Sequence, residues 1–326
     1  MKVLIIKLGA LGDIVMATSL IRRIQAAQPD ADLHLLTSPA FAPLFADWPG
    51  LAVTGFPRKG VGNMIRALRW IRSQGFTRVY DLQSNDRSGV LCALSGIPER
   101  IGNHPRFPYT HHPVDVYRGQ CHIFTRMNQV LASAGLEPAD PSPWLPIDAA
   151  GQATVSDWLA RHGLEGRAFA LLHAAASPRW PSKCWPHFAD LAARLEQAGL
   201  RCIWIGAGED AVINRELAVT AGIDASNDFD IRELAELGRQ ARFAITNDSG
   251  PLHILSAAAI PVYAFFGPTD WRRNHALGQE GRVFCLEVDC SPCSLGVCPP
   301  EQGHRCLQGL SAAAVIRRLR EDGLLG

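Results

Sequence analysis

Short apolar runs of four to six residues alternate along this chain with longer segments of helical period, and that rhythm restricts the fold more than any other feature. A run such as Val3–Ile6 offers no polar face, so it must be covered on both sides, as a strand is in a parallel sheet wrapped by helices. In the first half, strands are read at Val3–Ile6, Leu33–Leu36 and Arg78–Asp81, and helices at Ile14–Gln28, Asn63–Gln74, Ser88–Ser95 and His122–Ala134. In the second half, strands are read at Phe169–His173, Cys202–Gly206, Phe243–Thr246 and Val262–Phe266.

At 326 residues the chain exceeds what one core usually supports. Pro138, Pro141, Pro143 and Pro146 crowd the stretch between Glu137 and Asp148, which reads as a stiff interdomain linker. The expected architecture is therefore α/β, with two Rossmann-like doubly wound domains, 1–148 and 149–326, facing a central cleft. Strand ends that bind ligands would meet there. The last helix, about 311–322, is expected to reach back to the N-terminal domain.

The first apolar run is bracketed by Lys2 and Lys7 and is too short for a signal peptide or a span, and the later run from Ile254 is broken by Ser256 and Pro261. Nine cysteines without a secretory signal point to a reducing compartment and mostly free thiols. The net charge of +1 hides an asymmetry: residues 1–150 carry 15 Lys/Arg against 11 Asp/Glu, and residues 151–326 carry 17 against 20. Six basic residues and no acid lie between Trp48 and Tyr80, with Arg66, Arg69 and Arg72 at helical spacing opposite Met64, Ile65, Leu68 and Ile71. This is a solvated helix face or a landing surface for an anionic acceptor or membrane headgroups. No nucleic-acid partner is expected.

Three strand-to-helix loops carry candidate chemistry. In Ile245-Thr246-Asn247-Asp248-Ser249-Gly250-Pro251-Leu252-His253, a buried strand hands over to a helix whose first N–H groups suit an anion. Asp248 or Ser249 either caps that helix or helps cradle a phosphate. Lys183 ends another such loop, solvated or neutralising a leaving diphosphate. Glu209, after Ile205-Gly206-Ala207-Gly208, either favours the helix dipole or accepts from ribose hydroxyls. Near the N-terminus Gly9-x-x-Gly12 is weak evidence for a dinucleotide, because Val15 stands where a small residue belongs. Asp13 beside it is a helix cap or a general base.

Together these loops resemble glycosyltransferase family 9, the ADP-heptose:lipopolysaccharide heptosyltransferases. The resemblance runs from Leu8-Gly9-Ala10-Leu11-Gly12-Asp13, through Ala176-Ser177 and Lys183-Cys184-Trp185-Pro186, to Asn247–His253 and Phe266-Gly267-Pro268-Thr269. It implies a GT-B fold and an inverting transferase that needs no metal or other cofactor. The heptose would pass from ADP-heptose to the lipopolysaccharide inner core at the inner face of the cytoplasmic membrane. By this resemblance Asp13 matches the base that deprotonates the acceptor hydroxyl. Lys183 matches the donor-phosphate lysine, Glu209 a nucleoside-binding acid, and Asp248, Ser249, Gly250 and His253 the diphosphate and sugar loop, with Ser177 on the donor side. His173-Ala174-Ala175 stands where relatives often have Pro-Gly. Arg58, Lys59 and Arg66 are the acceptor-side candidates, and the loop from His104 to Tyr117 is expected to add acceptor contacts.

Cys290-x2-Cys293-x4-Cys298-x7-Cys306 is ligand-like in spacing, but the close pair lacks a second C-x-x-C, so structural thiols are the default and a zinc or iron site the alternative. Other functions consistent with the residues are transfer from another nucleotide sugar or to a protein, or a non-catalytic metal-binding protein using these cysteines.

Overall fold

The computed structural model describes residues 1–104, 107–114 and 121–326. The chain divides into two units, Met1–Pro146 and Ile147–Gly326.

The first unit holds strands β1 (Lys2–Ile6), β2 (Asp32–Thr37), β3 (Leu51–Gly55), β4 (Arg78–Asp81) and β5 (Glu99–Ile101), with helices α1 (Leu11–Ala27), α2 (Val61–Ser73), α3 (Asp86–Leu94) and α4 (Ile123–Ser133). The sheet is parallel throughout, in the order β3-β2-β1-β4-β5. The chain steps outward from β1 to β3, returns to the other side of β1, and continues to β5. The topological switch point therefore lies between β1 and β4. Val3, Leu4 and Ile5 have no exposed surface, as expected of a strand covered on both faces. Helix α2 buries Ala67 and Ile71 but leaves Ile65 exposed, so its apolar stripe is narrower than the spacing predicts.

The proline-rich stretch is not an unsupported linker. Ala139 and Leu145 are buried, the Ala139 amide donates to Asn128, the Trp144 amide donates to Thr18 on α1, and the Trp144 ring meets Trp48 edge-on at 5.0 Å. Apolar side chains between the prolines hold the segment on the first unit as far as Pro146.

The second unit contains β6 (Phe169–His173), β7 (Arg201–Trp204), β8 (Ile223–Asp224), β9 (Phe243–Asn247), β10 (Val262–Phe266) and β11 (Val283–Cys285). Its helices are α5 (Ala149–Arg161), α6 (Phe188–Gln197), α7 (Asp210–Thr220), α8 (Ile231–Gln240), α9 (Gly250–Ser256), α10 (Trp271–Asn274), α11 (Arg305–Gln308) and α12 (Ala312–Glu321). This sheet is also parallel, ordered β11-β10-β9-β6-β7-β8, with its switch point between β6 and β9. Successive residues of β6 feed opposite cores: Ala170 and Leu172 pack with α6 and α12, while Phe169 and Leu171 pack with α5, α8 and α9. The last helix, expected to dock on the first domain, buries Ala312, Val315, Ile316 and Leu319 in the second unit's core against α6.

Candidate active site

In open α/β sheets, ligands bind outside the carboxyl ends of the strands at the switch point. Both switch points here carry a lysine paired with a carboxylate.

At the first, β1 is followed directly by Lys7, which is 1% exposed. Its Nζ lies 3.2 Å from Asp13 Oδ2 and donates to the Leu82 carbonyl at 3.4 Å. Asp13 does not cap the helix as one reading supposes: α1 begins at Leu11 with Ala10 in the N-cap position, so Asp13 is its third residue. There the carboxylate is also favoured by the helix dipole. Burial holds the Lys7 ammonium below the ordinary lysine range, and Asp13 opposes that shift. The Gln83 side chain accepts from the Leu8 amide at 2.8 Å, tying the β1 and β4 ends together. Gly9 (φ +138°) leaves the surface where Arg58 lies: a Cβ there would stand 2.9 Å from the guanidinium and 3.0 Å from the Phe41 ring.

Beside the β4 end a cavity of about 360 Å³ is lined by residues including Asn85, Asp86, Asn103, His104, Phe107 and Tyr109. Tyr109 packs its ring on Gly102 and donates its hydroxyl to the buried Asp81, whose carboxyl burial pushes above the usual range despite that bond. Phe107 stays exposed. Of the loop expected to contact the acceptor, Pro105, Arg106, Asp115, Val116 and Tyr117 lie outside the described residues.

At the second switch point, Lys183 closes the 3₁₀ turn Pro181–Lys183, and its Nζ donates to Asp248 Oδ2 at 2.7 Å. Thr269, after β10, donates to the same oxygen at 2.6 Å. The Asp248 carboxylate is thus committed to two donors rather than to capping α9. Ser249 occupies the N-cap position, yet its hydroxyl does not cap the helix. It meets His173 Nδ1 at 3.1 Å and donates to the Asn247 carbonyl, while His173 Nε2 lies 3.3 Å from Asp210 Oδ2. Burial works against the Asp210 carboxylate, but bonds from His173 and the Ala207 amide outweigh it and hold its pKa below the ordinary range. Asn247 joins the loops: its amide nitrogen donates to the Ala174 and Ala175 carbonyls, and its oxygen accepts from the Trp185 amide. Trp185 in turn stacks on Phe265 at 4.0 Å, which fixes the residues following Lys183.

The structure therefore brings Lys183, Asp248, Ser249 and Gly250 together at the β6/β9 switch point, with His253 buried one turn into α9. Ser177 and Glu209 are exposed on the loops after β6 and β7. In the first unit it brings Arg58 to the Asp13 loop, while Lys59 and Arg66 stay exposed at and beyond the start of α2. Sequence reasoning assigned no role to Lys7, His173 or Thr269. Lys7 had one signal, a charge following a continuous strand with no loop between them.

A profile of glycosyltransferase family 9 (heptosyltransferase) matches residues 64–303. Lipopolysaccharide heptosyltransferase 2 of Escherichia coli K12 is 22% identical over 88% of each chain. Among solved structures, a glycosyl transferase family 9 protein from Veillonella parvula superposes with a TM-score of 0.83 at 20% identity, covering 98% of this chain and 96% of that one. The E. coli ADP-heptose lps heptosyltransferase II superposes with a TM-score of 0.77 at 21% identity, covering 98% of both.

Proposed function

Because the chain belongs to glycosyltransferase family 9 and has the GT-B fold of two Rossmann-like units, we propose that it is an inverting heptosyltransferase. On this reading it moves heptose from ADP-heptose to a hydroxyl of the lipopolysaccharide inner core. The names of its relatives support donor and acceptor, and one observation carries the mechanism. The two lysine–carboxylate pairs are buried in opposite senses: Lys7 and Asp13 have side-chain exposures of 2% and 31%, Lys183 and Asp248 of 17% and 8%. The first unit turns a carboxylate outward over a buried ammonium, and the second turns an ammonium outward over a buried carboxylate. Inversion needs one base and one anion stabiliser.

Asp13 accepts the proton of the acceptor hydroxyl as its oxygen bonds to the anomeric carbon. The bond from that carbon to the ADP phosphate oxygen breaks in the same displacement. Lys183 meets the charge that develops on the diphosphate, and the uncapped start of α9 adds N–H donors. Lys7 is a positioning residue, holding the Asp13 carboxylate in place. Glu209 and Ser177 contact the nucleotide side, and Arg58 attracts an anionic acceptor.

No helix of the described residues is long and apolar enough to cross a membrane. Exposed Val61 and Ile65 beside Arg58, Lys59, Arg66 and Arg69 support a peripheral stance on the anionic inner leaflet, on the cytoplasmic side.

ADP release from ADP-heptose, measured with and without heptose-less lipopolysaccharide, tests the proposal. Release that requires the acceptor is expected. Tight ADP binding without any acceptor-dependent release would overturn the donor and acceptor assignment.

A further inference from the structure

The segment from Leu286 to His304 poses a physical problem. None of its residues is buried, and its regular structure is limited to the 3₁₀ turn Pro300–Gln302. Val288 packs against the second unit's core, but a stretch with so little apolar burial needs another staple to offset the entropy of ordering it. Its contacts run to the Lys183 and Thr269 loops. Ser182, the neighbour of Lys183, donates its amide to the Gly296 carbonyl at 3.1 Å and its hydroxyl to the Leu295 carbonyl at 2.6 Å, while its own carbonyl lies 2.6 Å from His304 Nε2. On the other side the Ser294 amide donates to the Pro268 carbonyl at 2.7 Å, and the Ser291 hydroxyl donates to Gly267 at 2.5 Å. Gly267 is glycine because a Cβ there would stand 2.7 Å from Cys306 Sγ.

Between these contacts lies a cavity of about 120 Å³, lined by Cys290, Cys293, Cys298 and Cys306 together with Ser182 and Gly267. The other three cysteines of the set are all electrostatic neighbours of Cys306, and none of the nine cysteines is in a disulfide. We propose that Cys290, Cys293, Cys298 and Cys306 hold one thiophilic divalent ion, zinc or iron, in a four-thiolate site that fastens the 286–304 segment to the Lys183 and Thr269 loops. Four sulfurs around a small void match the number and softness of donors such an ion takes. Among the described residues no three His, Cys, Asp or Glu side chains already form a metal-holding group. The sulfurs line the void, and an ion that displaces the thiol protons draws the thiolates in. The ion acts through position: Ser182 and Gly267 adjoin the loops whose Lys183 and Thr269 share Asp248. It takes no part in the displacement at the anomeric carbon.

The test is elemental analysis of the purified full chain, with cobalt(II) exchange as a second measurement on the unaltered protein. About one zinc or iron per chain is expected, retained in Cys121→Ser and lost in Cys293→Ser. The cobalt protein is expected to show the thiolate charge-transfer and tetrahedral bands of a four-sulfur site. A strong chelator should lower Tm on the order of 10 °C. Metal-free protein with no cobalt spectrum and no response to chelator would overturn the proposal, as would mass-spectrometric evidence that these cysteines pair as disulfides. Metal content is read without turnover, so failure here is distinguishable from failure of the transferase assignment.

Discussion

The two switch points are built from the same pair of residue types and do opposite things with them. At the β1/β4 junction the lysine is 2% exposed and the aspartate 31%, whereas at the β6/β9 junction the aspartate is 8% exposed and the lysine 17%. A buried partner fixes the charge and geometry of the exposed one, so the loop chooses which sign it presents by choosing which member it buries. One parallel-sheet frame thereby presents a carboxylate at one switch point and an ammonium at the other.

The sharpest way to break this comparison is Asp13→Asn. If the first junction presents a base, kcat should fall by about a thousandfold while ADP affinity stays unchanged, since an amide keeps the shape and cannot take the proton. Steady-state kinetics beside ADP calorimetry read both arms, and an active Asp13→Asn enzyme would end the assignment. Lys183→Met should come next, lowering kcat/KM about a hundredfold and, unlike the first variant, weakening ADP binding.

Lys7→Met separates positioning from stability. Activity should drop about tenfold as Asp13 loses its anchor, while Tm at neutral pH holds or rises because a desolvated ammonium has been removed. The pH dependence has a definite sign. Between the depressed native value of Lys7 and the ordinary 10.5, the unfolded chain binds more protons than the folded one, so the unaltered protein gains stability as pH rises through that window. Any Tm advantage of Lys7→Met should narrow there, and an advantage that widens would contradict the burial argument. The smallest effect belongs to Thr269→Val, which removes one of the two bonds to Asp248. The loss of about 1 kcal/mol should raise the donor KM roughly fivefold and leave kcat nearly intact.

What the sequence revealed and concealed follows the same physics. The central strands β1, β6, β9 and β10 were legible because each is an apolar run covered on both faces. The strands it failed to reveal are β3, β5, β8 and β11, the edge of each sheet on either side. Edge strands are short and partly solvated, so Glu99–Ile101 or Ile223–Asp224 carries no run to detect. The turn from β9 into α9 was readable from its Ser-Gly-Pro sequence, and a donor role for it only from family resemblance. Its partner Thr269 was visible only as part of a motif, because the bond to Asp248 spans 21 residues. In the sequence Lys7 only brackets an apolar run, and three-dimensional packing shows it enclosed.

Asn247 makes three hydrogen bonds from one side chain and thereby locks two loops to each other at their roots. The tips of neighbouring loops, Ser177 and Glu209, stand clear of that lock in solvent. Under the proposed function, in which those tips meet the nucleotide, drift there would retune which nucleotide or sugar is accepted while the reacting groups stay where they are. The lineage of such an enzyme is thus free to explore new donors one exposed residue at a time, without first surrendering turnover.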